Sequence, residues 1–439
     1  MILVRRGALT ASGLLLTALV AWSRVAPAQD TTWKEGVRIT GIYTPGTRPG
    51  LLVMPVTGAQ GDSLRAIFQR DFENGDRMNV IALAAESVPP AGTAGSLNYP
   101  LYSRLGANVI LQVTPTSFGI HVLIHDVGRS AIARAASFPL PSPALSTEWR
   151  MAVHAIADGI EQQVTGVRGI SATRILYASA GRIWQVDSDG HGAIALTGDV
   201  RAMSPAWNPK GTHLAYTTLP NSGAQIVIRE TGGATRTLGT TPGGPNFSPA
   251  FSPDGNTMVY AHSTENGTEL WSVNAFGTDA ARRITVGRGS DNTSPTFSPD
   301  GRRIAFTSNR VGAVQVYTSD ADGTNAEPLL NFTVGEQSYR SDPDWSPDGR
   351  LIAFASQVAG NFQIMTIGVR DRNVRAHTST AVNENPSFAP DSRHIVFTSN
   401  RSGTRQLWVV DIESGRFRQL TRAPGGARHA AWSPALNVR

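Results

Sequence analysis

At 439 residues the chain is long enough for two or three domains. Only 16% of residues are charged, while 44 glycines and 27 prolines punctuate the chain. That mixture excludes a coiled coil, a helical bundle and a disordered chain, and favours short strands joined by tight turns. The absence of cysteine excludes disulfides, thiolate metal sites and a cysteine nucleophile, and a net charge of +6 without a Lys/Arg stripe argues against nucleic-acid binding.

The chain opens on Arg5-Arg6, an apolar run from Ala8 to Trp22, and Ala26-Pro27-Ala28. A charged start, an apolar stretch and a small-x-small site predict a signal peptide over residues 1–28, cleaved before Gln29. The alternative is a membrane anchor, but Thr10, Ser12, Gly13 and Thr17 leave the run short of the ~20 apolar residues a span needs. Cleavage removes Arg5, Arg6 and Arg24, so the mature chain is weakly basic. No later stretch is apolar enough to span a bilayer, and the mature protein is expected to be soluble and extracytoplasmic.

Residues 37–43 and 51–56 read as strands. A helix follows, capped by Asp62 or Ser63, with Leu64, Ile67, Phe68 and Phe72 on one face and Gly75 as its stop. Met78 to Leu83 is a predicted strand and Tyr99 to Leu105 a short helix. Three more strands are predicted over 107–113, 119–124 and 131–138. Trp149, Val153, Ile156, Ile160 and Val164 mark an amphipathic helix ending near Gly166. The alternation predicts a small α/β domain, a mixed sheet with helices packed on it, over residues 45–166.

The remainder repeats. Trp207-Asn208-Pro209-Lys210-Gly211, Phe251-Ser252-Pro253-Asp254-Gly255, Phe297-Ser298-Pro299-Asp300-Gly301, Trp345-Ser346-Pro347-Asp348-Gly349, Phe388-Ala389-Pro390-Asp391-Ser392 and Trp432-Ser433-Pro434 recur with prolines 44, 46, 48, 43 and 44 residues apart. That period is one four-stranded propeller blade. Proline presets the turn's φ, and glycine takes the position needing positive φ. A strand follows each turn, then a polar loop such as Ser308-Asn309-Arg310 or Ser399-Asn400-Arg401, then two further strands; we call the four A to D, with the aromatic-Ser-Pro ending A. The first B-like strand, at Arg174-Ile175-Leu176-Tyr177, has no A strand before it, and the last A strand, at Ala430-Ala431-Trp432, has no B strand after it. These two ends complete one blade and close a six-bladed ring over residues 167–439.

Alternating strand direction places the A–B and C–D turns on one face, and the B–C loops with the D–A connections on the other. Residues that vary between copies fall mainly on the second face: Met203-Ser204, Asn246-Phe247-Ser248, Asn292-Thr293-Ser294, Ser341-Asp342, Asn383-Glu384-Asn385 and Arg428-His429. These residues could recognise a partner, or they could simply end strands and cap turns.

Val37-Arg38-Ile39, Arg48-Pro49-Gly50-Leu51-Leu52-Val53-Met54-Pro55, Thr165-Gly166-Val167-Arg168-Gly169, Thr173-Arg174-Ile175, the blade repeats and the closing Ala431-Trp432-Ser433-Pro434 together resemble the TolB family, periplasmic components of the Tol–Pal system of Gram-negative envelopes. The resemblance covers nearly all of the mature chain. It implies a monomeric, non-enzymatic adaptor without cofactor or metal, in the periplasm, that supports outer-membrane integrity and invagination at cell division. By position it assigns docking of the lipoprotein Pal to Met203, Ser204, Asn246, Ser248, Asn292, Thr293, Ser294, Asn383, Glu384, Asn385 and His429. It makes residues 29–44 a flexible TolA-binding segment carrying Val37, Arg38, Ile39, Thr40, Ile42 and Tyr43. Read from the residues alone, that segment suits a strand added to a partner's sheet edge or an edge strand of its own domain. Thr44-Pro45-Gly46-Thr47 departs from the family's acidic, serine-containing stretch.

The alternatives are a secreted propeller binding peptide or sugar, and a propeller-type hydrolase. The sequence holds no Gly-x-Ser-x-Gly elbow, and its carboxylates are scattered through turns. His121 and His125 lie in an alternating strand and face one side, without a third ligand nearby. Asp187-Ser188-Asp189-Gly190 and Asp320-Ala321-Asp322-Gly323 echo the start of a calcium loop but lack its full spacing, and read as hairpin turns.

Overall fold

A computed structural model describes residues 34–35, 47–88, 97–238, 243–287, 289–331 and 339–436. The expected signal peptide and the expected TolA-binding residues Val37, Arg38, Ile39, Thr40, Ile42 and Tyr43 lie outside the described residues.

The N-terminal part comprises β1 (Lys34–Glu35), β2 (Gly50–Val53), α1 (Gly61–Gly75), β3 (Asn79–Val80), α2 (Tyr99–Arg104), β4 (Val109–Thr116), β5 (Gly119–Asp126), β6 (Ala131–Pro139) and α3 (Thr147–Thr165). The sheet order is β1-β6-β5-β4-β2-β3. Strand β2 runs parallel to β3 and β4, and the other pairs are antiparallel. Helices α1 and α3 bury Phe68, Phe72, Trp149, Val153 and Ile160 against Leu51, Val53, Leu111, Val122 and Ile124 of the sheet. Each such large side chain contributes about 1.5–3 kcal/mol on leaving water.

Two helix signals resolve differently from the sequence reading. Neither Asp62 nor Ser63 caps α1; the helix starts at Gly61, and no side chain caps it. A Cβ at Gly61 would stand 2.0 Å from the Val56 carbonyl oxygen, so close approach to the preceding chain sets the start. Asp62 lies in the first turn, where the helix dipole favours a carboxylate. Gly75 is the last helical residue, and the left-handed stop is Asp76 at φ 54°. Gly75 is small because a Cβ there would press within 2.7 Å of the Glu161 carboxylate on α3. The strand predicted over 78–83 shrinks to Asn79–Val80, beyond which Ile81 N–H still donates to the Leu51 carbonyl and the Leu83 carbonyl accepts from Arg65.

The rest is a six-bladed propeller of six four-stranded antiparallel sheets. Blades 1 to 5 begin with A strands Met203–Trp207, Asn246–Phe251, Asn292–Phe297, Arg340–Trp345 and Asn383–Phe388. Blade 6 takes its A strand, Arg428–Trp432, from the chain's end and strands B to D from Arg174–Ser179, Arg182–Asp187 and Ile194–Ala195. Trp432 stands opposite Ile175, as the count of strands required. The A–B turns are self-supporting: Ser298 Oγ accepts from Arg303 N–H at 2.9 Å and donates to Asp300 at 2.6 Å, while Gly301 sits at φ 71°.

Helices α1 and α3 meet the propeller through buried charge on the face of the A–B and C–D turns. Asp391, in the blade 5 A–B turn, pairs with Arg77 at 3.1 Å. Arg393 pairs with Asp411 and donates to the Asp76 carbonyl at 3.1 Å, and Ser414 donates to the Asp76 carboxylate at 2.5 Å. At blade 6, Asp189 receives Arg150 at 2.7 Å and Arg70 at 3.2 Å. The connecting chain is held by Asp158 of α3, which accepts from the backbone N–H groups of Ser171 and Ala172 at 2.7 and 2.9 Å.

The junction titrates. Burial pushes the Glu161 carboxyl up to about 8, against Arg77 at 3.3 Å. The folded protein thus keeps a proton that the unfolded chain releases near 4.5; this contribution to stability is complete below pH 4.5 and is lost as pH rises to about 8. Glu161→Gln removes the titration, so over that window its melting temperature is expected to fall less steeply than that of the parent chain. Parallel melting-temperature profiles for the two proteins would contradict the assignment.

Candidate functional site

With one face partly covered by α1 and α3, the D–A and B–C face is the side of the propeller turned away from the N-terminal part. Each A strand there breaks register with its B strand, between Met203 and Ala206, Phe247 and Ala250, Thr293 and Thr296, Ser341 and Asp344, Glu384 and Ser387, and Arg428 and Ala431. At every break one residue turns left-handed: Ser204, Ser248, Ser294, Asp342, Asn385 and His429, all with φ between 48° and 53°. Five of the six precede proline. A bulge of this kind re-aims its side chain, and here the six bulged residues line one central channel of about 430 Å³.

Neighbouring blades lock the ring. Ser248 N–H donates to Thr217 Oγ1 and Asp342 N–H to Thr307 Oγ1, both at 3.1 Å and both across a blade boundary. The Asp342 carboxylate accepts from Ser294 at 3.2 Å and Asn385 at 3.1 Å. Deeper in, Asp344 accepts from Phe388 N–H at 2.6 Å. Burial pushes Asp344 up to about 6 and raises Asp342, while these hydrogen bonds pull the other way. Burial, with Arg428 beside it, lowers the His429 imidazole, and its Nδ1 is buried with no partner among the described residues. The mouth is therefore lined by short polar groups and by acids that burial disposes toward their neutral form.

The residues expected at the site divide into three tiers. Ser204, Ser248, Ser294, Asn385 and His429 come together in the ring. Met203, Thr293 and Glu384 stand one residue earlier, half-buried, with Glu384 held by Arg405 at 3.4 Å. Asn246, Asn292 and Asn383, two residues before the bulge, are buried, at 3%, 0% and 0% exposed. Asn246 bonds His262, Asn292 bonds Glu269 and Arg310, and Asn383 bonds Gln363 and Arg401. These three amides are engaged in contacts within the propeller.

Asp342, outside the set that the family resemblance assigns, completes the ring. Each ring residue stands five positions before its turn proline, and Asp342 has that offset from Pro347. Asp344 carried no comparable signal, because its importance depends on the neighbouring blade.

The histidines weighed as metal ligands have other partners. His121 meets Ser137 at 2.9 Å, and His125, which burial lowers to about 4, meets Tyr99 at 3.0 Å. Asp187 to Gly190 forms a hairpin turn, Gly190 N–H donating to the Asp187 carbonyl at 2.8 Å. One group among the described residues, His154, Asp187 and Asp189, brings ligand-type atoms within 4.8 Å of each other. Arg70, Arg150 and Arg174 already supply positive charge to its two aspartates, and Asp71 holds His154 at 2.7 Å.

The profile of the TolB beta propeller domain matches residues 161–436. The chain belongs to the TolB family. The Tol-Pal system protein TolB of Haemophilus influenzae strain 86-028NP is 30% identical over 199 residues, covering 42% of this chain and 46% of that protein. The TolB of Histophilus somni strain 2336 is 30% identical over 195 residues, 40% and 44% of the two chains. The chain thus spans about half the length of the curated relatives it matches. The crystal structure of TolB from Acinetobacter baumannii superposes with a TM-score of 0.77 at 21% identity, over 92% of this chain and 99% of that one. That likeness extends the shared TolB fold to the α/β part. Among the described residues no helix is long and apolar enough to cross a membrane.

Proposed function

We propose that this TolB-family chain is a non-enzymatic periplasmic adaptor whose channel mouth docks the lipoprotein Pal and whose segment 29–44 is offered to TolA, with residues 1–28 removed on export. The observation that carries the reading is the ring of six bulged polar residues on the face turned away from α1 and α3. Short hydroxyls and amides at a rigid mouth can bond a partner's exposed backbone without burying an unpaired charge. The acids that face the channel are already bonded to Ser294, Asn385 and Phe388. We take residues 45–166 as the domain that carries the segment and 167–439 as the docking ring.

Capture of Pal by the mature chain tests this. Thr293→Ile, at the rim, is expected to weaken capture by about tenfold or more with little change in melting temperature. Arg350→Ala, on the opposite face with its side chain 84% exposed, is expected to leave capture unchanged. The reverse pattern would move the docking face. Deleting residues 29–43 is expected to abolish capture by TolA and spare that by Pal; TolA capture that survives the deletion would rule out the segment's role.

A further inference from the structure

Two of the polar B–C loops contain the same side-chain device, and neither the ring nor the turns require it. In blade 3 the Arg310 guanidinium lies 5.2 Å from the Phe306 ring centroid and 4.6 Å from that of Tyr317. In blade 5 Arg401 lies 5.2, 5.0 and 4.5 Å from Phe397, Trp408 and Phe417. Arg310 donates from Nε to Ser308 Oγ at 3.0 Å and from Nη2 to Asn292 Oδ1 at 2.9 Å. Arg401 repeats both bonds, to Ser399 Oγ and Asn383 Oδ1, each at 3.0 Å. This is what the buried Asn292 and Asn383 are for: they aim a guanidinium.

Those bonds occupy one edge of each fork, the edge formed by Nε and Nη2. The end-on edge, Nη1 with the second Nη2 proton, has no hydrogen-bond partner among the described residues, and both arginines are only half-buried. No carboxylate among the described residues pairs with either arginine. Burial lowers both guanidiniums; at Arg310 it is only partly offset by Tyr317 and Glu269, and at Arg401 nothing offsets it. A charge stacked on aromatics, fixed along one edge and without a salt bridge, is pre-organised for an in-plane anion.

We propose that Arg310 and Arg401 are paired carboxylate sockets, each taking an Asp or Glu side chain of the protein that docks at the mouth. The proposal rests on the docking face assigned above and adds the chemistry of its recognition. A carboxylate fits better than a phosphate. The charge of Glu269 acts on Arg310, and Asp291 is tied to the adjacent Asn309 at 3.2 Å; both would repel a dianion more strongly than a single carboxylate.

Two measurements on the full mature chain test it. In Pal capture, Arg310→Gln and Arg401→Gln are each expected to weaken affinity about tenfold and to flatten its salt dependence, and lysine at either position is expected to restore little, lacking the planar fork. The second follows the Nε–H resonances of Arg310 and Arg401, assigned through the variants, on titration with a glutamate-rich peptide, its glutamine counterpart and inorganic phosphate. Shifts with the glutamate peptide alone support the sockets, whether or not Pal is captured. Indifference to all three probes, or an equal response to phosphate, overturns the carboxylate assignment. Parent capture of Pal with both glutamine variants unaffected overturns the sockets and leaves the docking face intact, whereas no capture by the parent chain defeats the docking reading itself.

Discussion

Removal of residues 428–439 is expected to abolish the propeller's single cooperative unfolding transition. Those residues supply the A strand of blade 6, and without them the strand Arg174–Ser179 becomes an open edge next to the channel. The closure is held by more than strand pairing. Trp432 is 6% exposed, packs with Ile175, Tyr177 and Val396, and donates from its indole to Thr173 Oγ1 at 2.8 Å. Ser433 exchanges bonds with Arg174 at 2.9 and 2.8 Å, and Trp432 N–H reaches blade 5 at Ser387 Oγ. Trp432→Ala is expected to cost about 3–5 kcal/mol through the cavity it leaves. Trp432→Phe isolates the indole hydrogen bond and is expected to cost less. Calorimetry separates the cases, and a peptide of residues 424–439 added to the truncated chain should raise its melting temperature with concentration. A truncated chain that melts like the parent would mean the ring does not depend on its final strand.

The second large effect is expected at Arg393. Its side chain is 7% exposed and pairs with Asp411, itself 2% exposed, while bonding the backbone of Asp76 at the end of α1. Arg393→Ala leaves Asp411 buried without its partner, and removing one member of a buried pair costs about 3–5 kcal/mol. Replacing both, Arg393→Met with Asp411→Leu, is expected to cost clearly less, since no unpaired charge remains. Because the pair ties α1 to blade 5, the single variant is expected to split unfolding into separate α/β and propeller transitions, visible as two calorimetric peaks. A single peak at the parent temperature would show that the cluster carries no coupling.

Much of the fold was legible because its signals are local. A proline at a turn's second position, a glycine at positive φ and an apolar strand after it act within a few residues, and repetition every forty-odd residues multiplies a weak signal into a firm one. The helix ends were less legible. Gly75 looks like punctuation, yet it is small because the Glu161 carboxylate, distant in sequence, stands beside it. Blade 5 departs from the repeat, with Pro390-Asp391-Ser392 in place of Pro-Asp-Gly. The departure marks the turn whose aspartate faces Arg77.

The site shows the same division. Position in the repeat was enough to place Ser204, Ser248, Ser294, Asp342, Asn385 and His429 on one face. It did not distinguish an amide that lines the channel from one that accepts from an arginine. Asn292 and Asn383 face inward because the bulge two residues later reverses the strand's alternation, and bulges depend on register with the neighbouring strand.

By itself, then, the sequence determined the period, the number of blades and the joining of first strand to last, since each follows from turn chemistry and a count of strands. Tertiary structure alone decided which face of the ring is covered, which polar side chains remain open and which acids burial pushes toward the neutral form. Those outcomes depend on burial and on partners brought together from hundreds of residues apart, as with Asp76 and Arg393, and no local pattern encodes such a meeting.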